Sequence, residues 1–237
     1  MKSELFSHQA RLEAALPAAL KCIAATPGVY AALWCGSAAR GEATPYSDLD
    51  FHALVTGDVR WRRNVVVDGV PVEVFHNPVR KVRAMFAAED AATITMYAQG
   101  RAVLPHPDLD ALMAEAQALS AAGPVPRPLS EAQRFNLIEE VMDCRGVVQQ
   151  PTHALLALAV ATRAVDRLYA VNGWWEVKRE RWPADLAVRS PEVAQELNAV
   201  LVASEPDSRQ AALETLVTRL TGDLAYRDGG SEPEAVP

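Results

Sequence analysis

The sequence predicts an α+β protein, a small mixed-sheet domain followed by an all-helical bundle. Two patterns predict this class. Short apolar or alternating runs, broken by Gly, Pro and Asp-Gly, fill the first half, and apolar stripes at helical spacing fill the second. A third observation places the seam: residues 121–130, AAGPVPRPLS, hold three prolines and a glycine. The expected organisation is a first domain over residues 1–120, a linker over 121–130, a helical domain over 131–227 and a disordered tail over 228–237. In that tail, DGGSEPEAVP offers almost nothing to bury.

The elements follow in chain order. Leu12, Leu16, Ala19 and Ile23 recur at helical spacing and predict an amphipathic helix over about 5–25, closed by Pro27-Gly28. Residues 29–35, VYAALWC, form a short apolar run between glycines and suit a buried strand. Residues 49–55, LDFHALV, alternate and suit a second. Asn64–Val67 and Val70–His76 flank Asp68-Gly69, the strongest short-range hairpin signal. Residues 78–88, 90–99 and 108–119 return to helical spacing, with a turn at Gly100. Past the linker, Ser130 reads as a helix N-cap. Four helices are then expected. Their markers are Phe135, Ile138 and Met142; Leu155, Leu158, Ala159, Thr162, Val165 and Tyr169; Val193, Leu197 and Leu201; and Leu213, Leu216, Leu220 and Leu224.

Composition narrows the function classes. The 237 residues are half hydrophobic and carry a formal charge of −7. Nucleic-acid binding through phosphate neutralisation is therefore not expected, since it needs clustered Lys and Arg. No apolar run approaches the roughly 20 residues that span a bilayer. Lys2, Glu4, Arg11, Glu13 and Lys21 interrupt the start of the chain, so no secretory leader is expected and the location expected is cytoplasmic. Cys22, Cys35 and Cys144 are odd in number and lack CxxC spacing; they read as reduced, mostly buried thiols. The histidines show no HxxxH or HxH spacing, which argues against zinc. Ser37 lacks a GxSxG elbow, which argues against a serine nucleophile.

One stretch carries chemistry. Gly36-Ser37-Ala38-Ala39-Arg40-Gly41 follows the first strand, and Asp48-Leu49-Asp50 opens the second. Gly36 permits a tight turn with room for an anion. Ser37 supplies a hydroxyl at the start of a helical turn whose N–H groups favour phosphate, and Arg40 adds a fixed positive charge. Asp48 and Asp50 lie two apart in a strand, so both carboxylates project from one face while Leu49 and Phe51 point into core. Such a pair suits a divalent cation, and oxygen donors suit Mg²⁺. Glu73 is one acid in the otherwise apolar run Val70–Phe75, where an unpartnered carboxylate is expensive. Antiparallel pairing is expected to bring it beside the aspartates. His52, on the same face, is expected to be a hydrogen-bonded wall residue. Gly, Ser and Asp are common turn residues when taken singly; the combined spacing, the apolar flanks and the third acid set this stretch apart.

Residues 36–55, GSAARGEATPYSDLDFHALV, resemble the signature of the polymerase-β-like nucleotidyltransferase superfamily, and residues 72–75, VEVF, resemble its third-carboxylate strand. The likeness is specific over 31–55, supportive at 72–75 and loose elsewhere. It implies transfer of a nucleoside monophosphate from an NTP, ATP first, to an acceptor hydroxyl with release of pyrophosphate. It also implies two Mg²⁺ ions on Asp48, Asp50 and Glu73, with Gly36, Ser37 and Arg40 at the triphosphate. The third acid is often Asp in that superfamily, and here it is Glu. The helical half resembles the two-domain aminoglycoside and lincosamide nucleotidyltransferases. In those proteins the helical domain supplies an acidic general base, for which Glu139, beside Glu140 and Asp143, is the candidate. It often also supplies a lysine to the triphosphate, for which Lys178, in WWEVKRERW, is the candidate. The rival readings are nucleotidylation of a protein side chain or RNA, an inactive nucleotide-binding module, and a helical interaction module carrying an incidental turn.

Overall fold

The computed structural model describes residues 2–226, with the side chains of residues 2–7 left aside; the expected tail over 228–237 lies outside the described residues. The chain divides into two compact units, one ending at Gly123 and the next beginning at Pro124.

The first unit runs α1 (Lys2–Ala24), β1 (Val29–Cys35), α2 (Gly36–Ala39), β2 (Leu49–Val55), β3 (Trp61–Val67), β4 (Val70–Asn77), α3 (Val79–Ala87), α4 (Ala91–Gln99), β5 (Arg101–Leu104) and α5 (Pro107–Ala122). Its five strands form one mixed sheet in the order β3-β4-β2-β1-β5. Alternation divides the side chains between two faces. Trp34, Phe51, Val72 and Val74 point to one face and pack with Leu12, Ala15, Ala19 and Ile23 of α1. The other face carries Leu33, His52 and Phe75, with Tyr97, Phe86 and Ile94 of α3 and α4 buried beside them. β2 sits mid-sheet and is buried on both sides except at half-buried Asp50, and His52 is its other polar residue. Edge strand β3 is mostly exposed and bears Arg62 and Arg63, charges that discourage edge-to-edge pairing. The β3–β4 hairpin turns at Asp68 and Gly69, both with positive φ (50° and 73°), as a two-residue hairpin loop requires.

Three expectations for this half need correction. β4 pairs with β2 in parallel, not antiparallel, because the chain leaves β2, crosses to the outer position as β3 and hairpins back. A fifth strand, Arg101–Leu104, pairs with β1; four residues are too few to show a period. Cys22 is exposed, on the solvent side of α1, whereas Cys35 and Cys144 are buried.

The second unit runs α6 (Glu131–Gly146), α7 (His153–Asn172), a 3₁₀ turn (Arg179–Arg181), α8 (Trp182–Arg189), α9 (Pro191–Val202) and α10 (Pro206–Thr221). Ser130 caps α6 in a reciprocal box: its hydroxyl accepts from the Gln133 N–H at 3.2 Å, and the Gln133 side-chain oxygen accepts from the Ser130 N–H at 3.1 Å. The described residues hold five α-helices where the pattern predicts four. α8 is only eight residues long, and it is anchored by buried Trp182 and Leu186. The buried face of α7 is also rotated from the expected one. Ala157, Ala161 and Ala164 pack inward beside Val160, Val165 and Tyr169, while Leu155 is 70% exposed. Close helix approach favours the small residue, so size and not hydrophobicity alone set that face. Likewise Phe135 and Leu201 are exposed, and Leu137, Val141 and Val200 take the inward positions.

Candidate functional site

Strand register builds the site in the first unit. Cys35 at the end of β1 pairs with Asp50 near the start of β2, and Asp50 pairs with Glu73 on β4. Paired residues share a face, so the carboxylates of Asp50 and Glu73 stand side by side. Asp48 precedes β2 by one residue and joins them. One oxygen from each of Asp48, Asp50 and Glu73 lies within 4.8 Å of the other two, and all three side chains are half-buried. Unit charges at that distance repel by about 1 kcal/mol in water and by about 3 kcal/mol at an effective dielectric of about 20. A cation relieves this repulsion.

Gly36 makes the approach possible. Its φ is +79°, and a Cβ there would fall 1.9 Å from Asp50 Oδ2. Any side chain would fill the space beside that carboxylate and meet the steric penalty of the left-handed region. Ser37 opens the four-residue helix α2, and its hydroxyl is 3.0 Å from that of Ser47. Ser47 Oγ also accepts from the Thr44 N–H at 2.9 Å, which ties the loop before Asp48 back to the turn. Arg40 donates from Nε to Glu42 at 2.8 Å, a contact within the loop.

A cleft of about 300 Å³ opens beside Asp48 and Glu73, with Arg62, Asn64, Val65 and Pro71 also in its lining. Arg62 Nε forms an ion pair with Glu73 Oε1. Its guanidinium also lies over the Phe75 ring, 5.3 Å from the centroid. Arg62 and Asn64 have no motif in sequence. Counting outward from the Asp68-Gly69 turn pairs Asn64 with Glu73 and Arg62 with Phe75, so the hairpin signal contained their positions.

Two neighbours are removed from the chemistry by burial. Burial, reinforced by the Asp50 carboxylate, pushes the Cys35 thiol pKa well up, so Cys35 is neither thiolate nucleophile nor ligand. His52 is buried between the rings of Phe75 (5.0 Å) and Tyr97 (5.2 Å), and burial lowers its pKa to about 4. Its Nδ1 has no hydrogen-bond partner. His52 is thus a buried residue packed between rings, with no hydrogen bond at Nδ1.

The second unit carries the remaining candidates. Glu139 sits on the exposed face of α6; its neighbour Glu140 accepts from Arg163 Nε at 2.8 Å. Lys178 lines a pocket of about 380 Å³ with Arg163, Arg167, Arg179, Asp166 and Glu176. Four cations against two acids make that pocket positive. Arg179 lies 3.6 Å from Asp166 and stands over the Trp182 ring. Burial raises the pKa of Asp166, while Arg179 and Arg167 pull it back down. Trp182 is buried and Trp174 packs edge-on against Tyr169, so both are packing residues.

The all-oxygen donor set, the glycine cradle at Asp50 and the guanidinium already resting on Glu73 all fit a hard divalent cation such as Mg²⁺. No protein-family model and no curated protein matches the sequence. Among solved structures, the chain is similar to a nucleotidyltransferase-like protein from Exiguobacterium sibiricum 255-15, with 12% identity over 87% of this chain and 74% of that one and a TM-score of 0.48. No helix among the described residues is long and apolar enough to cross a membrane.

Proposed function

We propose that this chain transfers a nucleoside monophosphate from a nucleoside triphosphate, with ATP the first candidate, to a hydroxyl of a small-molecule acceptor, releasing pyrophosphate. The observation that carries the reading is the convergence of Asp48, Asp50 and Glu73 within 4.8 Å, with Asp50 packed onto Gly36 of a Gly-Ser turn. In the reaction the acceptor oxygen bonds to the α-phosphorus, the bond from that phosphorus to the bridging oxygen breaks, and the hydroxyl proton passes to a base. Asp48, Asp50 and Glu73 would hold Mg²⁺, which when bound supplies charge neutralisation and a lowered acceptor pKa.

The chain's own groups have separate tasks. Gly36 leaves space for phosphate beside Asp50. Ser37 offers a hydroxyl at the turn, and the bond network through Ser47 holds that turn. Lys178 and the positive pocket around it are our candidates for the triphosphate, and Glu139 is our candidate for the base. Rate enhancement here comes from positioning and from charge neutralisation in a half-buried setting.

A pyrophosphate-release screen tests the reading, pairing each of the four NTPs with aminoglycoside, lincosamide and cell-extract acceptors in the presence of Mg²⁺. Release is expected with at least one pair, and Asp48→Asn should lower it by about 10³-fold or more. Absence of release with every pair, or release that Asp48→Asn leaves unchanged, rejects the proposal.

A further inference from the structure

Arg62 is a charged cleft residue that neither motif nor resemblance singles out. It reaches the acids from the edge strand β3, and three features hold it there. Register places it beside Phe75, across from β4. The Phe75 ring lies under its guanidinium at 5.3 Å, a cation–π contact. Its Nε meets Glu73 Oε1, on a carboxylate that is only 14% exposed. Arg62 itself is 59% exposed, so its guanidinium can turn outward at little desolvation cost.

The contact joins two groups of different character. Glu73 cannot retreat from the cleft, because strand pairing to Asp50 holds its backbone and burial surrounds its side chain. Arg62 can move, because its stem leaves an edge strand. A divalent cation shared with Asp48 and Asp50 would need the Glu73 oxygen that Arg62 holds. Two positive centres on one carboxylate oxygen repel each other, so the guanidinium has to yield. Held by Phe75, it stays at the cleft mouth, where a planar bidentate donor suits a phosphate oxygen pair.

We propose that Arg62 is an exchangeable counter-ion of the acidic trio: it neutralises Glu73 when no metal is bound, yields that oxygen to a divalent cation, and transfers its own pairing to the triphosphate entering with the metal. This rests on the metal-site reading above and adds an ordered competition to it.

The exchange predicts opposite effects on two affinities. Mn²⁺ binding to the full-length protein, followed by electron paramagnetic resonance, is expected to tighten about fivefold or more in Arg62→Gln, because its competitor is gone. Binding of a non-hydrolysable triphosphate analogue in saturating Mn²⁺ is expected to weaken about fivefold or more in the same variant. Arg62→Lys, which keeps the charge without the fork or the ring stacking, should fall between Arg62→Gln and the parent protein in both measurements. In a Glu73→Gln background, Arg62→Gln should leave Mn²⁺ affinity within twofold, since nothing is left to compete for. Unchanged or weaker Mn²⁺ binding in Arg62→Gln overturns the exchange, and so does unchanged analogue binding. If Mn²⁺ binds the parent protein and Asp48→Asn abolishes it, the metal site survives either failure. If the parent protein binds no Mn²⁺, site and exchange fail together.

Discussion

Both units carry one-to-one carboxylate–arginine pairs, but among the described residues only the first gathers three carboxylates at one place. In the first, Asp48, Asp50 and Glu73 crowd together within 4.8 Å, and the Arg62 guanidinium pairs with Glu73. In the second, carboxylates meet arginines one to one: Glu140 with Arg163, Asp185 with Arg189, Glu196 with Arg219 and Glu214 with Arg145. Paired surface charges are individually weak and serve solubility and orientation. Gathered like charges cost stability and persist only where something else uses them. The contrast extends to the pockets, since the cleft on the first unit presents acids and the pocket on the second presents mostly cations.

The largest way to break this comparison is at glycine. Gly36→Ala places a methyl 1.9 Å from Asp50 Oδ2 at a φ of +79°. We expect a stability loss on the order of 2 kcal/mol and a drop in Mn²⁺ affinity of about tenfold or more. Gly146→Ala, at the end of α6, meets no atom within 4 Å and should leave stability equal or raise it by up to about 1 kcal/mol. Urea denaturation of both variants, with Mn²⁺ titration of the first, checks the pair. A silent Gly36→Ala would mean that the close approach of turn and carboxylate does not matter.

Much of this contrast was legible in sequence. The Asp48/Asp50 alternation, the glycine before Ser37 and the single acid in Val70–Phe75 pointed to the cluster that the structure brings together. Strand direction was not legible. Asp50 and Glu73 meet in either orientation of β4, and only the path through β3 decides it. The hairpin register placed Arg62 opposite Phe75, but its diagonal reach to Glu73 is a side-chain contact that no sequence pattern marks. The helical unit was legible in its elements and less so in its faces. On α7 alanines displace leucines from the core, and hydrophobicity alone ranks those residues the wrong way. Glu139 and Lys178 were reached through resemblance, and no local pattern marks either residue.

An effect confined to acid pH sharpens the comparison through two buried histidines. His153 in the second unit has Gln210 Oε1 at 2.9 Å from its Nε2, whereas His52 in the first is packed between rings. The folded state takes a proton on His52 only near pH 4, while the unfolded chain takes one near 6.5. Protons therefore favour the unfolded state as pH falls through that window. Stability from this source is complete above about 6.5 and lost toward 4, to an extent on the order of 3 kcal/mol. His52→Leu should flatten the fall of Tm between pH 6.5 and 4 relative to the parent protein. An equally steep fall in the variant would assign the acid sensitivity to other groups.

The smallest expected effect lies on the surface of the second unit. Arg145 grips Glu214 with two bonds, Nε to Oε1 at 2.6 Å and a second nitrogen to Oε2 at 2.9 Å. Gln210 adds a third bond to Glu214 at 2.8 Å. The Arg145 bond and then the Gln210 bond lower the Glu214 pKa against the opposing pull of burial. A carboxylate with a lowered folded pKa contributes stability above its unfolded value, and that contribution disappears as pH falls through the folded one. Both partners are partly exposed, so solvent screening holds the net worth to about 1 kcal/mol or less. Arg145→Met should therefore cost about 1 kcal/mol at most in urea denaturation at pH 7, less in high salt and nothing once Glu214 is protonated. A cost several times larger would mean that this pair belongs to a network with a task beyond the surface.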